Sequence, residues 1–454
     1  MGRRASSQVN RSTCTRAVNA ELQTESKPQS RADPSVEEEV VVVGGGIAGL
    51  STALALHRMG IKSLVLESAP GPRDSGAAIA LWRNAWRALD VLGVGEKLRH
   101  DYILLDRVQL CTKKGKVVRE FGLDEVKGGP HEYRGVHRSA LLKVLASELP
   151  EGTVRYGTSV QQVLPLDGGQ GTELILGGGE RLSAKVVIGC DGTKSAVARH
   201  LALPQPNYAG YSAIRGVANF PNGHNQKSAV RQIWGAGVRA GTYPMNRTDV
   251  YWFTVFNSPE EEPCPSCGRH GTEAAGAGLG RGWGGDILNI IRATPAEATT
   301  RSDIRDRWTL PKPVGGQSTW GRGSVTVAGD AAHPMTPNLG QGGCAALEDA
   351  VVLARELAKA KVSNDTKTSQ NGHRADKSTS LDPQAVEDVL RRYERERIPR
   401  AAKLTVQSWV YGTLLQIGFP PVTFARDNVV VPYLFQPDHW LDHTLYDCGE
   451  LPTS

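Results

Sequence analysis

The chain has 454 residues, of which 39% are hydrophobic and 22% charged, with a formal net charge of +6; that is ordinary globular composition, enough for about two or three domains and a sizeable core. The positive charge is spread along the chain apart from an arginine-rich stretch near 391–400, which sets nucleic acid aside, although a basic surface can attract an anionic cofactor. Seven scattered cysteines argue against a secreted disulfide framework, and no apolar run approaches the ~20 residues that cross a bilayer.

Positions 1–20 carry Arg3, Arg4, Arg11 and Arg16 with several Ser and Thr, and no acid occurs before Glu21. That is transit-peptide composition. Residues 1–36 are expected to be a disordered or transit-like segment, with plastid import favoured over a cytoplasmic tail. Val40–Val43 is a short β-branched run suited to a strand buried on both faces. A glycine turn follows, then a helix from Leu50 to Met59 closed by Gly60, then a strand over Lys62–Leu66 that ends at Glu67. Leu81–Leu92 and Arg138–Leu149 read as amphipathic helices, with paired strands over Val108–Thr112 and Lys116–Phe121 between them. Lys185–Cys190 is a second buried strand running into Asp191-Gly192.

From 205 to 260 the alternating, aromatic-rich pieces predict antiparallel sheet. Residues 258–285 read as a loop, in which Cys264, Cys267 and His270 form at most half a zinc site; no metal is expected. A parallel-type strand returns at Ser324–Ala328, followed by a long helix from near Gly342. A polar insertion over 361–382, a basic helix over Gln384–Arg400 and a less regular tail complete the chain.

The chemistry concentrates in two places. In Gly44-Gly45-Gly46-Ile47-Ala48-Gly49, Gly44 permits the tight turn, Gly46 removes the side chain facing a pyrophosphate, and Gly49 allows helix and strand to pack closely. Free amides and the helix dipole then hold the anion. Glu67, 18 residues beyond Gly49, can accept hydrogen bonds from ribose hydroxyls and would repel a 2′-phosphate, leaving FAD or NAD. Gly329-Asp330, with Pro334, Pro337 and the run Gly340-Gln341-Gly342-Gly343, sets a carboxylate and a row of amides at a helix start. An acid there can bond ribityl hydroxyls, and the amides can stabilise charge on a flavin.

These pieces resemble the FAD-dependent aromatic-ring hydroxylase (group A flavoprotein monooxygenase) family from about Val40 to Arg400, within it the plant group similar to zeaxanthin epoxidase and salicylate hydroxylase. GGGIAG at 44–49, VVIGCDGTKSAVAR at 186–199 and VAGDAAHPMTPNLGQGGCAALEDA at 327–350 carry the resemblance, with YERERIPR at 393–400 and HTLYDCGEL at 443–451. It implies an α/β fold: a Rossmann-like FAD-binding domain over 37–204 and 321–360, interleaved with a mixed or antiparallel β-sheet substrate domain over 205–320, and a C-terminal helical region over 383–454. It also implies that NADPH or NADH binds transiently and reduces the flavin. O2 then adds at flavin C4a, and the hydroperoxide delivers one oxygen atom to a small aromatic or apolar substrate inside a dry pocket.

By the same resemblance Gly44, Gly46, Ala48, Gly49, Glu67 and Arg138 bind the ADP half of FAD, Asp191 and Gly192 serve FAD and NAD(P)H, and Asp330 binds the ribityl chain beside Gly340, Gly342 and Gly343. Ala198 stands where the family often has arginine. His333 is expected to shape its loop, while Pro337 and Asn338 face the isoalloxazine ring. Arg215, Trp234, Tyr243 and Trp252 are the substrate candidates. The competing readings are a flavin-dependent reductase or desaturase of related fold, and a catalytically weak flavoprotein with a binding or regulatory role.

Overall fold

A computed structural model describes residues 37–72, 78–166, 171–260, 282–308, 320–363 and 379–452. The transit-like segment, the Cys264–His270 pattern and most of the polar insertion lie outside the described residues. The chain opens with β1 (Glu37–Val43), α1 (Ile47–Arg58), β2 (Leu64–Leu66), β3 (Ala78–Trp82), α2 (Arg83–Val91) and a short α3 (Gly95–Arg99). Then come β4 (Arg107–Thr112), β5 (Val117–Gly122), β6 (Tyr133–His137), α4 (Arg138–Ser147), β7 (Val154–Arg155), β8 (Val160–Pro165), β9 (Thr172–Leu176), β10 (Arg181–Gly189) and α5 (Ala196–His200). The second half holds β11 (Asn207–Asn219), β12 (Ala229–Trp234), β13 (Val238–Pro244), β14 (Asp249–Asn257), α6 (Gly285–Arg292), β15 (Thr299–Asp306), β16 (Val325–Val327), α7 (Gly342–Ala358) and α8 (Pro383–Gln416).

The first sheet has the order β7-β2-β1-β10-β9-β8. Its β1 lies parallel to β2 and β10, and Val40, Val41 and Val42 are fully buried, as a strand covered on both faces requires. The long β10 serves two partners: Arg181–Ala184 pair with β9, while Val187–Gly189 pair in parallel with β16. The C-terminal ends of β1, β10 and β16 therefore sit side by side, where ligands bind in open α/β sheets. α1 and α7 pack on one another above them.

The second sheet runs β15-β11-β14-β13-β12-β4-β5, antiparallel except for β12 beside β4. Here the sequence reading needs correction. Residues 107–122 fall within 37–204, yet they extend this second sheet, because non-local pairing of β4 with β12 leaves no local signal. The helix expected over Leu81–Leu92 starts only at Arg83, since Leu81 and Trp82 are strand residues paired with β6. The helix expected to stop at Arg400 continues to Gln416 through Pro399. A proline inside a helix removes one hydrogen bond and costs about 3 kcal/mol. Burial of Ile398, Ala401 and Leu404, together with the ion pairs of Arg397 described below, offsets that penalty.

One face of the second sheet is closed by α6, where Ile287, Ile290 and Ile291 pack on Ile214, Ala240 and Trp252. The opposite face, carrying Trp234, Tyr243 and Tyr251, joins the main core beneath the first sheet's helices. Among the described residues no helix is long and apolar enough to cross a membrane.

Candidate active site

A cavity of about 510 Å³ opens at the C-terminal end of β1, walled by Gly44–Gly46, Glu67, Arg138, Lys143, Asp191 and Gly192 among others. Its floor is shaped by two glycines that admit no side chain. Gly44 has φ +105°, and a Cβ there would lie 2.6 Å from the Cys190 carbonyl oxygen. A Cβ on Gly49 would lie 1.8 Å from the Gly44 carbonyl oxygen, so helix and turn touch backbone to backbone. Gly46 differs: a Cβ there meets only Arg138 Nη2, at 3.8 Å, so its amide stands at the open side of the cradle beside a guanidinium.

Glu67 is bound into the same turn. Its Oε2 accepts from Gly45 N at 2.6 Å and its Oε1 from Ala69 N at 2.8 Å. Ser68 Oγ lies 3.4 Å from Glu67 Oε1 as well. Asp191 Oδ2 accepts from Ala196 N at 2.6 Å and caps the helix that follows, with Ser195 Oγ accepting from Ala198 N. Asp191 Oδ1 is buried without a partner, and burial raises the carboxyl above its usual range. An orphaned acceptor on the wall of a glycine cradle fits a ligand that offers a hydroxyl donor.

The second motif packs against the first. Gly329 has φ +60°, and a Cβ there would fall 2.7 Å from Ala48 Cβ, so Ala48 is small because the Gly329-Asp330 turn rests on it. Asp330 keeps an exposed side chain at the end of this turn. Desolvation by the protein around it raises its carboxyl, opposed by the charges of His333, Arg138 and Arg215. Across from it, an ideal Cβ on Gly342 at the start of α7 would lie 3.9 Å from Asp330 Oδ1. Gly340 takes the left-handed conformation (φ +64°), and Gly343 packs against the tip of Ile79, whose Cδ1 lies 2.2 Å from an ideal Cβ there.

What holds this turn in place was not read from the sequence. Asp349 Oδ2 accepts from Gly329 N at 2.8 Å and pairs with His333 Nε2 at 2.6 Å, while Oδ1 takes Arg397 Nε at 2.7 Å. Arg397 also reaches Glu348 at 2.6 Å, which Asn84 and Arg400 bond as well. Arg397, Glu348, Asp349 and His333 are fully buried. Despite burial, the adjacent cations hold both carboxyls below their usual range. Arg307 adds a third clamp, donating to the Ala331 and Ala332 carbonyls and to Pro204 O. His333 thus ties its loop to Asp349. The signal that could have shown the rest was the acid pair Glu348-Asp349 facing Arg397 and Arg400, three apart on the buried side of a helix.

The YERERIPR and HTLYDCGEL segments meet at this clamp. Arg397 and Arg400 lie over the Tyr446 ring at 5.1 and 4.6 Å, and Arg400 Nη2 donates to His443 O at 2.7 Å. Burial first, and the Arg400 charge second, depress the His443 imidazole to about 4. An unfolded chain would protonate it near 6.5, so the unfolded state binds the proton first as pH falls. Stability present above pH ~6.5 should therefore decline by about 3 kcal/mol toward pH ~4. Denaturant unfolding followed across that window should show this slope, and His443→Phe should flatten it; an unchanged slope in the variant contradicts the assignment.

The substrate candidates separate by face. Arg215 and Tyr243 share the inner face of the second sheet with Tyr251, and both tyrosine hydroxyls are raised by burial. Trp234 also faces inward, but it is roofed by the tail: its Nε1 donates to Asp427 at 2.8 Å and Arg426 lies over its ring. Trp252 is a correction. It points to the opposite face and donates to Thr294 Oγ1 at 2.7 Å within the α6 core, because strand alternation turns it away from Tyr251. Asn338 is fully engaged as a latch, receiving Arg239 on Oδ1 and donating to Ser408 O at 2.7 Å, whereas Pro337 is exposed. Arg239, unforeseen in the sequence, is buried with no carboxylate in ion-pair range among the described residues, and burial lowers its guanidinium to about 10.

The fold and the cradle are those of a flavin-dependent oxygenase. The profile of the family described as "FAD binding domain" matches residues 37–265 and 285–367, and the chain belongs to that family. It is 36% identical over 422 residues to Monooxygenase 1 of Arabidopsis thaliana, covering 91% of this chain and 99% of that one. It is 28% identical to the chloroplastic zeaxanthin epoxidase of an Oncidium hybrid cultivar, over 89% of this chain and 61% of the relative. Its fold matches that of Klebsiella pneumoniae HpxO, solved with FAD and uric acid, with a TM-score of 0.73 at 24% identity over 90% and 96% of the two chains. The protein is an FAD-dependent monooxygenase.

Proposed function

We propose that the chain uses NADPH or NADH, with O2, to hydroxylate or epoxidise a small aromatic or apolar molecule. The observation that carries this reading is the glycine cradle at the C-terminal end of β1, where Gly44, Gly46, Glu67, Arg138, Asp191 and Gly192 line one cavity. Gly44, Gly46, Ala48, Gly49 and Arg138 hold the pyrophosphate, Glu67 the ribose, and Asp191 and Gly192 the adjoining hydroxyls. Asp330 with Gly340, Gly342 and Gly343 holds the ribityl and ring portion. FAD, when bound, supplies the oxygen-activating chemistry. The residues of this chain orient it, and Tyr243, Tyr251 and the Asn338 latch exclude water from its substrate face.

Arg215 orients the substrate. No carboxylate lies within ion-pair range of it or of Arg239 among the described residues, which favours a substrate bearing an acceptor or anionic group. Arg215→Ala is expected to raise KM for that substrate about 10–100-fold with FAD content unchanged, the range of a lost charged hydrogen bond. Plastid import belongs to the same proposal and rests on the acid-free, arginine-bearing residues 1–20.

The test is NADPH and NADH oxidation with O2 uptake across a panel of aromatic and isoprenoid metabolites, reading products for the mass of one added oxygen atom. Stimulated oxidation with that product supports the proposal. Oxidation without O2 dependence points to the reductase or desaturase. FAD binding with no reduction by either nicotinamide points to a regulatory flavoprotein.

A further inference from the structure

The C-terminal part of the chain presents a surface that the active site does not use. Between Leu404 and Pro437 the only charged residues are Arg426 and Asp427, which pair with each other at 2.7 Å. Along α8, Val406, Trp409, Val410 and Leu414 form one exposed stripe at helical spacing, on the side away from Ser408 and Gly412, which contact the Asn338 latch. Beyond the helix end the apolar surface continues, with Phe419 62%, Phe424 68% and Tyr433 80% exposed. A monomer rarely shows water an uncharged, aromatic-rich surface of this extent unless something covers it.

The rim of this surface is basic. Gly418 packs on Ala236 and Gly237, at the turn after β12, and Trp234 of β12 is paired with Thr112 of β4. The turn between β4 and β5 therefore lies at the same end of the sheet as Phe419. It carries Lys113, Lys114 and Lys116, all exposed and without a carboxylate in ion-pair range among the described residues. Joining two copies through this face would bring two basic rims together. A bilayer with anionic headgroups meets the same surface with opposite charge at its edge and apolar chains at its centre. No described helix can span a membrane, so the contact is one of lying on the surface.

We propose that this face docks on the surface of a bilayer containing anionic lipid, with Phe419, Phe424 and Tyr433 entering the headgroup boundary and the lysine turn meeting the headgroups. Aromatic residues suit that boundary because one end is apolar and the other tolerates water. The inference is independent of the substrate assigned above.

Flotation of the FAD-loaded protein with phosphatidylcholine vesicles, with and without phosphatidylglycerol, tests it. The protein should float with the anionic vesicles. Phe419→Asp with Phe424→Asp should lower partitioning at least about tenfold. Lys113→Glu, Lys114→Glu and Lys116→Glu should each lower it about fivefold at low salt; these positions on an exposed turn keep the test valid should the phenylalanine variant misfold. Failure to float, or equal flotation of wild type and the lysine variants, overturns the proposal. A concentration-dependent dimer in sedimentation that ignores vesicles and dissociates on changing Phe419 and Phe424 overturns it in favour of a second copy of this chain.

Discussion

Gly49→Ala yields a protein that purifies without flavin. Alanine at a helical position ordinarily gains about 1 kcal/mol over glycine. Here the new Cβ would stand 1.8 Å from the Gly44 carbonyl oxygen, and that atom belongs to the turn that frames the cavity. Neither partner is a flexible side-chain end, so α1 must move off β1 and carry the cradle with it. Overpacking of this kind costs about 1–3 kcal/mol, which outweighs the propensity gain and falls on the cofactor site itself. FAD affinity, read by fluorescence titration of the stripped protein, should drop about 100-fold. Retention of flavin at the wild-type stoichiometry would mean that the helix does not need its close approach.

The second large effect lies far from the cradle in sequence. Arg397→Ala removes the cation that both Glu348 and Asp349 use, leaving buried carboxylates with reduced compensation. Breaking a buried pair from one side costs about 3–5 kcal/mol. Arg400 still reaches Glu348, but Asp349 keeps only His333 and Gly329 N. The expected result is a loss of that size in denaturant unfolding, accompanied by weaker FAD binding because Asp349 holds the Gly329-Asp330 turn. A fall in stability with flavin affinity unchanged would show that the turn holds itself.

The cofactor half was legible in the sequence because its physics is local. Gly44, Gly46, Gly49 and Glu67 sit within one βαβ unit, where spacing alone fixes geometry. Gly329-Asp330 was legible for the same reason, although its contact with Ala48 was not. The clamp Asp349–Arg397–Glu348–Arg400 joins two helices, and nothing in either helix announces which acid meets which arginine. The substrate face was the least legible. Trp252 looked as eligible as Tyr243 because which strand face meets the cofactor domain depends on how β11, β13 and β14 pair and on α6 covering the other side. The helix expected over Gln384–Arg400 runs on to Gln416, because its continuation is held by packing against other elements rather than by any local signal.

The central claim is that this chain transfers one atom of O2 to an organic substrate. The most direct measurement is turnover under isotope-labelled O2 in unlabelled water, with a substrate found in the metabolite panel. The account predicts one labelled oxygen atom in the product for each nicotinamide oxidised in coupled turnover. A product whose new oxygen comes from water, or a product altered without gaining oxygen, would contradict it.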